Sequence, residues 1–151
     1  MSARYLVVDG HSVIYSWPEL RALHDRNRTA ARKAIAEQLG RLHDTTPWRV
    51  TLVLDGKMGG PAQPETPRAE GMVVCYGTAD QTADSIIERL VAASGVAEEI
   101  LVITADEVEK RTVESLGATA VSPEWLRQEM ERSEVTFSSE LERVHRSARW
   151  K

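Results

Sequence analysis

Short apolar runs of strand length alternate along the whole chain with longer stretches of helical periodicity. This alternation limits the possible folds more than any other feature. The runs lie at about 4–8, 50–54, 72–76 and 100–104, with a weaker one at 118–121. Between the first two, Ala31, Ile35, Leu39 and Leu42 mark one face of a helix over 29–43. Ile86, Ile87, Leu90 and Val91 do the same over 81–93, where Gly95 follows as a stop. A helix is expected over 107–116 ahead of Gly117, and another begins at Ser122 with Pro123 in its first position. Ser16 with Glu19, and Ser139 with Glu142, have capping-box spacing; they predict a short helix over 18–23 and a last helix opening near 139. Strands separated by helices need crossover connections, so the pattern predicts an α/β fold with a central, mainly parallel sheet flanked by helices.

A chain of 151 residues predicts a single domain, with a core over about 4–130 followed by a C-terminal helix and basic tail over 131–151. The net charge of -4 excludes indiscriminate polyanion binding, so any contact with nucleic acid must come from local basic patches. Cys75 is the only cysteine and sits in an apolar run, which predicts a small buried side chain in a reducing compartment. The N-terminus carries no signal-peptide pattern and no apolar run reaches transmembrane length, so a cytoplasmic protein with no membrane contact is expected. One stretch breaks the rhythm. Residues 56–71 include Gly59, Gly60, Pro61, Pro64 and Pro67, predicting a long loop that leaves the sheet beside Asp55.

Four aspartates stand where the strands would end or where a helix begins. Asp9 closes the first run, Asp55 the second and Asp106 follows the fourth, while Asp84 lies inside the start of the helix after the third. In a parallel sheet those positions share the carboxyl edge, where open α/β sheets bind their ligands. Carboxylates gathered there repel one another unless a cation holds them, and an oxygen-rich site suits Mg²⁺ or Mn²⁺. Each aspartate also has a structural reading as a turn or cap residue, strongest for Asp106 and weakest for Asp84. Asp80, Asp84 and Glu88 recur every fourth residue and share a helix face.

Three motifs carry a family resemblance. Val7-Val8-Asp9-Gly10-His11-Ser12-Val13-Ile14, followed by Trp17-Pro18-Glu19-Leu20, resembles the opening of NYN-domain proteins, the PIN-like nucleases, in their bacterial YacP-like branch. Thr82-Ala83-Asp84-Ser85-Ile86-Ile87-Glu88-Arg89 and Val102-Ile103-Thr104-Ala105-Asp106 are similar to later motifs of the same branch. The resemblance covers about residues 4–130. It implies a three-layer PIN-like fold and a metal-dependent endoribonuclease, with an association with translation and messenger-RNA turnover. By position it assigns Asp9, Asp84 and Asp106 as ligands of one or two Mg²⁺ or Mn²⁺ ions, with Asp55 as a supporting or second-metal acid. The chain departs from the pattern at His11-Ser12, where tyrosine-asparagine is usual, and at Ala105, where serine is usual.

Ions held by these acids would activate a water for in-line attack on a phosphodiester and stabilise the charge that develops. An RNA substrate needs positive charge nearby. Arg21, His24, Arg26, Arg28, Arg32 and Lys33 cluster around the first helices, with Arg26, Arg28, Arg32 and Ser12 as the candidate substrate contacts. A second cluster of Arg143, His145, Arg146, Arg149 and Lys151 closes the chain beside Trp150, an aromatic able to stack on a base. Single-stranded messenger RNA and the ribosome are the expected partners. The alternative left open is a PIN-like RNA- or ribosome-binding module whose catalysis is impaired by Ser12.

Overall fold

The structure, a computed structural model, describes residues 4–56 and 72–149, without the side chains of 135–141 and 145–149. The glycine- and proline-rich stretch over 57–71 lies outside the described residues. So do Trp150, Lys151 and the side chains of His145, Arg146 and Arg149 in the basic tail.

Five parallel strands form one sheet: β1 (Tyr5–Asp9), β2 (Arg49–Leu54), β3 (Val73–Tyr76), β4 (Ile100–Ile103) and β5 (Thr119–Val121). Their order across the sheet is β3-β2-β1-β4-β5, so the sequence expectation of a mainly parallel sheet is met in full. Tyr5 stands opposite both Arg49 and Ile100, and Val8 opposite both Leu52 and Ile103, which makes β1 the central strand. That position explains its unbroken apolar run, because a central parallel strand is covered on both faces.

The helices divide between the faces. On one side lie α1 (Gly10–Ser16), α2 (Pro18–Arg26), α3 (Arg28–Thr45) and α6 (Pro123–Arg149); Val13, Ile14, Leu20, Ile35, Leu39 and Leu126 pack there against Leu6, Val8 and Leu52. On the other lie α4 (Ala83–Ser94) and α5 (Glu107–Ser115); Ile87, Val91 and Val113 pack against Val7, Val53 and Val102. Gly95 ends α4 in the left-handed conformation, with φ 72°.

Two local expectations are corrected, and one element is new. The Asp9-Gly10 pair starts α1, a seven-residue helix absent from the sequence expectations. Ser16 lies inside that helix, so its box with Glu19 does not form. Trp17 and Pro18 open α2 instead, and Glu19 pairs with Arg127 of α6. Ser139 starts no helix either, because α6 runs unbroken for 27 residues.

Gly10 sits at a close approach to β2. A Cβ there would fall 2.4 Å from Leu54 Cδ2 and 3.1 Å from the Val53 carbonyl oxygen. Glycine lets the chain enter α1 this close to β2, directly after Asp9, without displacing the buried Leu54 side chain.

A candidate metal centre at the carboxyl edge of the sheet

The connection leaving β1 crosses one face of the sheet toward β2, and the one leaving β4 crosses the other face toward β5. The following helices diverge, opening a crevice at the carboxyl ends of β1 and β4. Asp9 stands there, only 6% exposed. Carboxylate oxygens of Asp9, Asp84 in the first turn of α4 and Glu109 in the first turn of α5 all lie within 4.8 Å of one another.

Asp9 is held by its neighbours, and Asp55 supports the helix that carries Asp84. The Ser12 hydroxyl donates to Asp9 Oδ2 at 2.9 Å and accepts the Ala105 N–H at 3.0 Å, tying the start of α1 to the turn after β4. The Thr104 hydroxyl lies 3.5 Å from the same Asp9 oxygen and accepts the Asp106 N–H at 3.1 Å. Asp55 Oδ1 accepts the Ala83 N–H at 3.1 Å, and Thr82 caps the same helix through the Ser85 N–H. Asp55 therefore anchors the helix that presents Asp84.

Asp106 is placed differently from the other expected ligands. It is exposed, and its Oδ1 accepts the N–H groups of Val108 at 2.9 Å and Glu109 at 3.3 Å. It caps α5 and fixes the turn that carries Glu109, whereas Glu109 itself completes the compact group. In sequence Glu109 is one of two acids in the first turn of α5, where stabilising the helix N-terminus is a sufficient role. The usable signal was its spacing four residues before buried Val113, which turns it inward on the same face of α5. Asp80 is exposed and outside the group.

The electrostatics are unfavourable for a site without a cation. Burial raises the Asp9 pKa, the Ser12 hydrogen bond offsets part of this, and the Asp84 charge adds to it. Glu109, 2% exposed, is raised to about 9 by burial, then by the adjoining Asp84 carboxyl and the Asp9 charge. Asp84 and Thr104 are close enough to affect its proton affinity, yet both Glu109 oxygens lack a hydrogen bond of good geometry. Among the described residues none of the three acids has a salt bridge. Buried carboxyl groups without countercharge, one of them (Glu109) also without a donor, suit a hard divalent cation, whose charge would reverse the repulsion among them.

The basic residues also separate. Arg26 and Arg28 are exposed where α2 meets α3. Arg32 instead donates to the Asp55 carbonyl at 2.6 Å and the Gly56 carbonyl at 3.1 Å, securing the exit of β2. His11 and His24 are not isolated; they flank Tyr15, with ring centroids at 5.7 and 5.2 Å.

A five-stranded parallel sheet of this order, flanked by helices and carrying acids at its carboxyl edge, defines the PIN-like NYN class of nuclease domains. The chain belongs to the YacP-like NYN domain family, whose model matches residues 6–151. It is 28% identical over 142 residues to the uncharacterized protein YacP of Bacillus subtilis strain 168, a match spanning 92% of this chain and 82% of that protein. The fold is similar to the crystal structure of Rae1 (YacP) from Bacillus subtilis, with a TM-score of 0.79 at 26% identity, covering 98% of this chain and 84% of that one. The structure of its W164L mutant matches with a TM-score of 0.76 at 26% identity, over 93% of this chain and 82% of that one.

Proposed function

We propose that this protein is a Mg²⁺- or Mn²⁺-dependent endoribonuclease that cleaves single-stranded RNA, with Asp9, Asp84 and Glu109 holding one or two ions. The observation that carries this reading is the convergence of three carboxyl groups within 4.8 Å at the sheet edge, two of them buried and without countercharge. Bound there, a divalent ion would supply positive charge at the phosphate oxygens and promote ionisation of the attacking water. The chain's own residues shape the site around it. Ser12 and Thr104 orient the Asp9 carboxylate, Asp55 holds the N-terminus of α4, and Asp106 holds the turn that presents Glu109. The N-terminal ends of α4 and α5 carry partial positive charge, which favours an anionic phosphate at the crevice. Arg26 and Arg28 add cationic side chains for the RNA backbone.

The family resemblance makes cytoplasmic messenger RNA presented by the ribosome the substrate to test first. The use of Ser12 as a clamp on Asp9 favours catalysis over the impaired binding module. The deciding assay incubates end-labelled single-stranded RNA with Mg²⁺, Mn²⁺ or EDTA, using the wild type, Asp9→Asn and Asp84→Asn. Cleavage is expected only with metal and only in the wild type. RNA binding without metal-dependent cleavage would establish the binding module instead. Mn²⁺ binding to Glu109→Gln and Asp106→Asn decides the third ligand. Loss in Asp106→Asn with retention in Glu109→Gln would return Asp106 to the ligand set.

A further inference from the structure

Tyr15 lies on the same short helix as Ser12, which begins directly after Asp9, yet nothing in the acid cluster uses it. It is 46% exposed, whereas Val13 and Ile14 beside it are fully buried. The exposed ring is nevertheless held from several directions. Its hydroxyl lies 3.3 Å from Nε2 of His24, a histidine only 7% exposed. The His24 ring meets it edge-on at 5.2 Å and the His11 ring lies at 5.7 Å. The Arg21 guanidinium stands over the ring, 5.1 Å from its centroid. An exposed aromatic ring held by a buried histidine and two further side chains loses little conformational entropy when a ligand stacks on it.

The surroundings indicate which ligand. Arg21, Arg26 and Arg28 are exposed and have no salt bridge among the described residues, and Arg28 acts on His24 through its charge. Asp25 opposes Arg28 in its effect on His24. An aromatic ring bordered by arginines suits an unpaired base with its flanking phosphates better than an apolar or acidic protein surface. Tyr15 is six positions beyond Asp9, along α1, a rise of about 9 Å. A base on this ring would therefore belong to the same strand as a phosphate at the acid cluster.

We propose that the Tyr15–Arg21 pair is a stacking subsite for one unpaired base of the RNA strand, a few nucleotides or fewer from the bond at the acid cluster. This rests on the RNA reading above. Its test places 2-aminopurine at successive positions of a single-stranded RNA and measures emission with EDTA present, so that no strand is cut. Quenching at one position is expected in the wild type and in Tyr15→Phe, and its loss in Tyr15→Leu. Tyr15→Leu should also weaken binding roughly tenfold, within the range for losing one stacked base. In cleavage assays the loss should appear in KM, with kcat within about twofold of wild type.

Arg21→Gln, which leaves the ring in place, should reduce the quench and serves as a second variant if Tyr15→Leu fails to fold. Equal quenching in wild type and Tyr15→Leu would overturn the stacking subsite while leaving the nuclease reading intact. Binding and cleavage that are wholly indifferent to Tyr15 and Arg21 would overturn it too, and would leave this face to a protein partner. No RNA binding by the wild type would remove both readings together.

Discussion

The two ends of the sheet bury polar groups in opposite ways. At the amino end, His43 is 6% exposed and set among donors: the Val50 N–H lies 3.0 Å from Nδ1 and Arg49 Nη1 lies 2.9 Å from Nε2. Arg49 in turn donates to the carbonyls of His43 at 2.8 Å and Thr46 at 3.0 Å. At the carboxyl end, Asp9 and Glu109 are buried at least as well, but they face another acid. The first cluster is solved by the chain itself. The second is stable only when protonated or when something positive is added from outside, and this contrast distinguishes a structural polar group from a site.

The strongest way to break the contrast is to neutralise the carboxyl end. Asp9→Asn or Asp84→Asn should lower cleavage about a thousandfold or more, because the group that holds the charge is removed. Thermal stability in EDTA should hold or rise, since repulsion is relieved. A parallel loss of activity and folding would show that these acids are structural.

Glu109 gives the sign of the effect without an activity assay. Its pKa in the fold, about 9, lies above the ordinary 4.5. A group raised in this way contributes stability that is full below its unfolded value and is lost as pH rises through the folded one. Metal-free protein should therefore lose stability between about pH 5 and 9, by a few kcal/mol at most. Denaturant titrations across that range should show the slope in wild type and a flattened one in Glu109→Gln. Saturating Mn²⁺ should remove the wild-type slope by favouring the ionised carboxylate. An equal slope in both proteins would mean that Glu109 is not the group responsible.

The amino end predicts the reverse. The His43 pKa is lowered, first by burial and then by the Arg49 charge. A neutral imidazole offers one ring lone pair, so it accepts from one of its two donors at a time, and protonation removes that acceptor. The stability His43 provides is present above its unfolded pKa, about 6.5, and is lost as pH falls below it. His43→Ala should cost about 2–3 kcal/mol by leaving the buried Val50 N–H unpaired. The activity per folded molecule should not change, and a change would mean that the two ends are coupled.

The legible and illegible parts of the molecule divide along similar lines. Strand runs and helical stripes express burial, which periodicity records directly, so all five strands, the face of α3 and, apart from exposed Leu90, that of α4 could be read from the sequence. Alpha1 could not, because Asp-Gly is turn chemistry in isolation and only contact with Leu54 and Val53 shows why glycine is there. Asp9 and Asp84 were visible from their places beside strands and inside a helix. Glu109 was hidden because its place in the cluster comes from the fold bringing the first turn of α5 beside Asp9 and Asp84, whereas locally it is one more acid in a first turn. Arg32 was misleading for the opposite reason: a basic residue in a basic segment carries no sign that two backbone carbonyls will engage it.

Ser12 is where the carboxyl end borrows the amino end's solution. It gives a buried carboxylate one internal donor, and that hydrogen bond lowers the proton affinity of Asp9 against the effect of burial. A hydroxyl donates a single proton, whereas an asparagine amide donates two and also offers a carbonyl. Here the single donor is supplemented from the other side, because the same hydroxyl accepts the Ala105 N–H and so fixes the turn after β4. Ser12→Ala should therefore have the smallest effect of the series, about 1 kcal/mol or a few-fold in activity. Its acid limb should move to higher pH, since Asp9 loses the bond that favoured its ionised form. Ser12→Asn should restore the donor and bring the limb back. If Ser12→Ala matches Asp9→Asn in severity, the hydroxyl contacts the substrate directly, and if its pH profile does not move, Thr104 alone orients Asp9.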